Sequence, residues 1–290
     1  MALIGTLTSG VSALNAFSKD LEVIGNNIAN VNTTGYKSST ASFSDSFSNT
    51  LRGSSPSNGV TSDTSAVQVG TGVNLAGINQ SFTQGDLTST SVASNLAISG
   101  NGFFTVVNPS DGTKYVTRDG DFRIDDNGYL VNPDGYRVQG FTGGTAAAAP
   151  SGAATDIKLG TPPAGYELQS YSFDTSGDLT EFYSDGSSVT TNQVALQQYK
   201  DPSALVKEGE NLYTGFSAAG PVGGITLTKA NNTANTNGLG KIQGGSLEQS
   251  NVDLTDQFAR MISTERSFQA ASRVITVSDE VLQEIVNLKH

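Results

Sequence analysis

A seven-residue apolar repeat runs through each end of the chain, and the long stretch between the two repeats lacks it. Near the start, Leu7, Leu14, Leu21 and Ile28 fall seven apart, with Phe17, Ile24 and Val31 interleaved. Near the end, Leu254, Met261, Phe268, Ile275 and Leu282 keep the same spacing. Such a period lays a narrow apolar seam along a helix, and only another helix covers it well. The companion position on the second repeat reads Phe258, Glu265, Ser272, Asp279 and Val286, so that helix is not a self-sufficient zipper. Its seam is expected to be completed by the N-terminal helix and by neighbouring subunits. A helical hairpin lying on the middle of a monomer is the alternative.

The expected helices run from about Ala2 to Asn30 and from Val252 or Asp253 to about Leu288. Asn30, Asn32, Thr33, Thr34 and Gly35 oppose continuation of the first, because Asn and Gly accept left-handed backbone angles. Asn251 or Asp253 can cap the second, where Asp253 and Asp256 meet the positive end of the helix dipole. From Tyr36 to about Gly85 the chain is rich in Ser, Thr, Asn and Gly, and Gly53–Ser65 reads as flexible linker or exposed loop.

Beyond Val67 the pattern changes to short strands cut by turn dipeptides. Strands are expected at Phe103–Val107, Lys114–Thr117, Phe122–Ile124, Tyr129–Val131 and Tyr136–Phe141. Later candidates are Tyr171–Phe173, Asp178–Tyr183 and Gln193–Tyr199. Asp111-Gly112, Asp119-Gly120, Asn127-Gly128 and Asp134-Gly135 are hairpin signals. Phe122, Gly128, Leu130 and the Asp134-Gly135 turn are echoed in order by Phe173, Gly177, Leu179 and Asp185-Gly186, which suggests two related hairpins in one β-domain. Thr142–Ala154 reads as a loop. The expected fold class is α+β: long N- and C-terminal helices forming a coiled-coil-like axial domain, with a mainly antiparallel β middle domain. The expected division is 1–33 with 246–290 as the helical axial part, 34–85 as extended linker, and 86–245 as the β-rich outer domain.

Composition removes whole classes of function. The 290 residues carry a formal charge of −11, which opposes nucleic acid and anionic membrane surfaces as partners. With no cysteine and a single histidine, His290, thiol and imidazole chemistry lacks its parts, and no metal or cofactor site is expected. No window has the length and apolarity of a membrane span, and the first ten residues do not resemble a cleaved secretory signal. The aspartates Asp119, Asp121, Asp125, Asp126 and Asp134 invite a metal or glycosidase reading. An EF-hand starting at Asp119 fails because Arg123 and Ile124 occupy its fifth and sixth positions, and Asp before Gly is what tight turns demand. Gly100-Asn101-Gly102 is a turn rather than a phosphate loop, since a β-type run follows it. Arg260, Glu265 and Arg266 read as a solvated or intersubunit salt-bridge face of the last helix. A structural, non-enzymatic protein is expected. An extracellular adhesin with helical oligomerisation ends, or a polysaccharide-active enzyme using the aspartate-rich hairpins, are readings from other classes.

Two long motifs then carry a specific resemblance. Ile24 through Lys37, with Asn26, Asn27, Asn30, Asn32, Gly35 and Tyr36, resembles the N-terminal signature of the bacterial flagellar rod and hook family. Gly245 through Leu254, with Ser250 and Asn251, resembles the family's C-terminal mark. Between them, Val69–Val73, Phe82–Leu87 and Leu96–Phe104 also fit. Within the family the last stretch is most similar to the hook form, although the region from Gly140 to Gln193 is too short for the usual outer inserted domain. The segment from about Thr50 to Val67 instead resembles the long loop of distal-rod members, where it accompanies stiffness.

The resemblance implies a structural subunit of the hook, a tubular universal joint passing motor torque to the filament. The alternative is a distal-rod, drive-shaft subunit. It implies terminal helices lining an inner tube, a helical homopolymer, and contacts with neighbouring axial proteins: distal rod, hook–filament junction and hook cap. It further implies passage through the flagellar type III export apparatus without a cleaved signal peptide, to an extracellular place in the hook and basal body. The expected assembly interface is Leu7, Leu14, Leu21 and Ile28 against Leu254, Met261, Phe268, Ile275 and Leu282.

Overall fold

The computed structural model describes residues 2–56, 63–143, 154–160 and 166–288. His290, parts of the expected Gly53–Ser65 linker and most of the Thr142–Ala154 loop lie outside the described residues. The chain divides into two compact units, the first of residues 1–29, 39–81 and 252–290, the second of residues 30–38 and 82–251.

In the first unit the N-terminal helix spans Ala2–Ala29 and the C-terminal helix Leu254–Asn287. Asp253 is the N-cap of the latter, its carboxylate accepting from the Thr255 and Asp256 backbone N–H groups and so satisfying two otherwise orphaned donors. Arg260 pairs with Asp256 one turn back, at 2.8 Å, rather than with Glu265.

Where linker was expected, the first unit carries four strands. β1 (Ser39–Asp45) pairs antiparallel with β4 (Val73–Gln80), and β2 (Ser48–Arg52) with β3 (Val67–Gly70). All residues of β2 and β3 are exposed, and half of β4 or more. With neither face buried there is no apolar alternation to read, and Ser, Thr and Asn fill positions that backbone pairing alone organises. β1 and β4 lie beside the N-terminal helix, with Phe17 and Phe43 meeting edge to face at 6.3 Å.

The second unit is an antiparallel β structure. Its strands are β5 (Leu87–Ser89), β6 (Leu96–Ser99), β7 (Phe103–Val107), β8 (Lys114–Thr117), β9 (Arg123–Ile124), β10 (Leu130–Val131), β11 (Arg137–Thr142), β12 (Thr155–Asp156), β13 (Leu168–Phe173), β14 (Asp178–Tyr183), β15 (Ser188–Val194), β16 (Leu196–Gln197), β17 (Val206–Gly209), β18 (Leu212–Thr214), β19 (Lys241–Gly244) and β20 (Ser246–Glu248). The main sheet runs β13-β14-β15-β11-β7-β8-β18-β17. Two further pairs, β19 with β6 and β20 with β5, bring the C-terminal mark beside residues 87–99. Leu96, Ile98, Phe104, Phe122, Val138 and Leu196 anchor the larger apolar core. Phe82, Phe103, Tyr199 and Tyr213 form an aromatic cluster beside it, with ring centroids 5.6–6.2 Å apart.

The turn signals resolve unevenly. Gly112, Gly128, Gly135 and Gly186 hold φ between +72° and +87°, the left-handed angles that a glycine supplies without strain. Asp119-Gly120 does not turn a hairpin, since β8 pairs with β7 and β18 while β9 pairs with β10. Asp119 instead accepts from the Thr34 hydroxyl and the Asp121 N–H, and burial raises its pKa. Asp125 accepts from the Asn127 and Tyr129 N–H groups, which is turn chemistry. The echoed residues fall on two hairpins of one sheet, Leu130 opposite Ile124 and Leu179 opposite Phe173.

Burial leaves a pH signature. Tyr183 donates its hydroxyl to the fully buried Glu181, which also accepts from the Gly160 N–H and the Thr191 hydroxyl. Burial first, and that bond second, push the Tyr183 hydroxyl up to about 12, while burial raises Tyr36 and Tyr199. A raised folded-state pKa means stability that is present below the unfolded value near 10 and lost as pH rises through the folded value. Alkaline titration followed by near-ultraviolet absorbance should therefore show these tyrosines ionising only together with loss of β circular dichroism. Their ionisation near the ordinary tyrosine value in a folded protein would contradict the burial described here.

Candidate assembly site

Two constellations stand out, one in each unit. In the first unit the helices pair antiparallel through bonds between their inner faces. The Asn27 amide donates to Gln257 Oε1 at 3.0 Å, the Thr264 hydroxyl to Asp20 Oδ2 at 2.8 Å, and the Thr6 and Ser278 hydroxyls meet at 3.4 Å. Ala13 and Ala271 line one groove between these layers. The buried residues of the C-terminal helix are Gln257, Thr264, Ala271 and Ser278, spaced by seven and small or polar throughout. Gly10 completes the close approach: a Cβ there would lie 2.9 Å from Ile275 Cγ1.

The expected apolar seam residues flank this inner line. Leu7, Leu14, Leu21, Ile28, Met261, Phe268, Ile275 and Leu282 are half-buried, and Leu254 is exposed. Reading the period found the helices and missed which heptad position faces inward. The regular spacing of Thr6, Ala13, Asp20 and Asn27 was the available signal.

A separate apolar stripe on the C-terminal helix, Val274, Val277, Val281, Ile285 and Leu288, is 41–86 % exposed. The groove that Ala13 and Ala271 line, of about 700 Å³, extends along Gly5 and Ser9 of the N-terminal helix, Leu51 and Val69 of the β2–β3 hairpin, and Val274. The signature asparagines divide. Asn27 is buried and also exchanges bonds with the Ser39 backbone, donating to its oxygen at 2.7 Å and accepting from its N–H at 3.0 Å. Asn30 accepts from the Thr33 hydroxyl, and Asn26 and Asn32 are exposed.

In the second unit the two signature motifs meet around a buried carboxylate. Glu248 takes Lys37 Nζ on Oε1 at 2.6 Å and Arg118 Nη1 on Oε2 at 3.4 Å, with Lys37 and Glu248 wholly shielded from solvent. Lys37 also donates to the Thr83 oxygen, the Gly85 N–H donates to Glu248, and Arg118 donates to the Gly100 oxygen. Burial lowers the pKa of Lys37 and of Arg118, and Glu248 opposes both shifts. Asn251 accepts from the Ser38 N–H and donates to Thr83. Tyr36 is buried beneath Lys207, whose ammonium lies 4.4 Å from the ring centre. Gly35, at φ +66°, donates to the Glu248 oxygen, and a Cβ there would lie 2.6 Å from the Asp119 nitrogen. The ion pairs span 211 and 130 residues, so local spacing gave no hint of them.

Three segments match family profiles. Residues 7–37 match a profile described as flagella basal body rod protein, and residues 97–181 the flagellar hook protein FlgE/F/G D1 domain. Residues 243–288 match the C-terminal profile of flagellar basal body rod FlgEFG proteins. The flagellar basal-body rod protein FlgG of Bacillus subtilis (strain 168) is 37 % identical over 287 residues, 99 % of this chain and all of that protein. The chain belongs to the flagellar rod and hook family. Its members are axial structural proteins, so the chain is a rod or hook axial subunit and not an enzyme. FlgG of Borreliella burgdorferi is 29 % identical over 296 residues, spanning 99 % of each chain. The hook protein FlgE of Salmonella typhimurium (strain LT2) is 25 % identical, and that alignment extends over 427 residues to cover 98 % of this chain. The comparisons favour the rod alternative over the hook expectation: the rod relatives named match end to end at this length, whereas the hook relative aligns over 427 residues.

Removing one partner from the buried triad should be costly. Lys37→Met is expected to destabilise the second unit by about 3–5 kcal/mol. Glu248→Leu should cost more, because it leaves two buried cations facing each other. The chain has no tryptophan and all nine tyrosines lie in the second unit, so urea unfolding followed by tyrosine emission reports on that unit alone. Equal midpoints for Lys37→Met and the parent would sink the triad's structural role.

Proposed function

We propose that the chain is a subunit of the distal rod, the drive shaft of the flagellar basal body, polymerising with copies of itself into a helical tube. The end-to-end alignment with rod proteins at equal length carries this reading. On it, the paired terminal helices form a coiled-coil-like axial layer lining the tube. The Thr50–Val67 segment, built on the β2–β3 hairpin, supplies the stiffness associated with the long loop of rod members.

The surfaces of the first unit suit an open polymer. A helical array needs a heterologous interface, in which one patch meets a different, complementary patch on the next copy. The exposed stripe Val277, Val281 and Ile285, and the groove that Gly5, Ser9, Ala13 and Val274 line, are two such apolar surfaces. The stripe side chains are already about half covered, so burying the remainder of each contributes on the order of 1 kcal/mol. The half-buried seam residues Leu7 to Ile28 and Met261 to Leu282 belong to the same assembly interface. Partners on this reading are further copies, adjoining axial proteins and the type III export apparatus, with export free of a cleaved signal peptide.

Electron microscopy of basal bodies from cells lacking the gene tests the assignment. A rod cut short within the envelope is expected. A complete rod ending without a hook would return the chain to the joint, and intact flagella would overturn the axial role. A charge in the stripe, Val277→Glu, should abolish motility while the tyrosine-reported unfolding of the β-rich unit stays unchanged. Normal swimming in that strain would exclude the stripe from the interface.

A further inference from the structure

The inner line of the helix pair carries information that its apolar flanks do not. Three bonded layers cross it, Thr6 with Ser278, Asp20 with Thr264 and Asn27 with Gln257, and the same spacing sets Ala13 at the level of Ala271. Each step moves seven residues along one helix and seven back along the other. Apolar contact is non-directional, so a slip of one heptad exchanges leucine for leucine along Leu7, Leu14 and Leu21 at little cost. The polar layers do not tolerate that slip. Displaced one way, Asp20 faces Ala271 and loses the Thr264 hydroxyl. Displaced the other way, Thr264 faces Ala13 and Thr6 faces Ala271. A buried polar group that loses its partner forfeits its desolvation cost with no return.

In a homopolymer every helix is surrounded by identical competitors. We propose that the Thr6–Ser278, Asp20–Thr264 and Asn27–Gln257 layers are positioning residues that select one antiparallel register within a chain. They do so against slipped pairings and against pairing with the helices of neighbouring copies. This rests on the polymer reading for its competitors, whereas the register itself is a property of the single chain. Polar seam positions are known to trade stability for register and partner choice. The same layers explain why the innermost positions of the C-terminal helix are small or polar while its valines, Ile262 and Ile285 are exposed.

The absence of cysteine makes the test clean. A reporter chain carrying Ala13→Cys and Ala271→Cys should oxidise to an intrachain disulfide, both in isolated basal structures and in purified full-length protein. A second reporter adds Asp20→Leu, Asn27→Leu, Gln257→Leu and Thr264→Val. Its intrachain fraction should fall by about fivefold, with interchain disulfides appearing on non-reducing gels. A third exchanges partners within layers, Asp20→Thr with Thr264→Asp and Asn27→Gln with Gln257→Asn, and should recover the intrachain fraction. An undiminished intrachain fraction in the second reporter, in polymer or in purified chain, overturns the proposal, as does failure of the third where the second succeeds. If the second reporter builds no polymer, the purified chain decides. Failure of the rod reading would appear separately, as intact flagella in the deletion strain.

Discussion

A carboxylate cut off from water, Glu248, decides whether the β-rich unit can close. An ionised group at that depth is tolerable only with charge partners and further donors in place, and here Lys37, Arg118 and the Gly85 N–H supply them. These partners come from distant parts of the sequence. The residues next to the points where the chain passes between units, Lys37 and Ser38, Thr83 and Gly85, Glu248 and Asn251, are bonded to one another. The family signatures are thus ends of one internal fastening within the second unit, and their polar residues serve geometry rather than chemistry on a substrate.

The helical pair follows a different economy. Its inner line on the C-terminal helix is polar or small, and apart from Ile24 its large apolar residues are half-buried or exposed, so a single chain recovers only part of the free energy that the heptads offer. A free-standing enzyme domain would bury those side chains itself. On the proposed polymer reading those side chains are left for neighbouring copies.

How legible this was depends on whether the signal is local. Both long helices follow from period and caps: Asp253 caps as expected, and the first helix ends at the Asn- and Thr-rich cluster. Phe103–Val107, Lys114–Thr117 and Asp178–Tyr183 are strands to the residue, because burial on one or both faces and glycine turns mark them. β2 and β3 escaped because strands exposed on both faces carry no alternation, and β1 and β4 because they are only partly covered. Asp119-Gly120 misled because the same dipeptide suits a buried corner, where Asp119 binds Thr34. The Lys37–Glu248 pair needed the fold, since nothing in either motif names a partner 211 residues away. What favours rod over hook is alignment length, 287 residues against 427, which relatives reveal more readily than the residues present.

The bonded layers of the helix pair join residues 230 to 272 positions apart. Contacts of such separation close late, because the entropy of so large a loop must be surrendered before any of them forms. During synthesis the N-terminal helix has no mate until Leu254–Asn287 leaves the ribosome. The chain thereby carries its own delay: the β-rich unit can mature while the axial pair stays open, and the decision of which helix to join is postponed to the end.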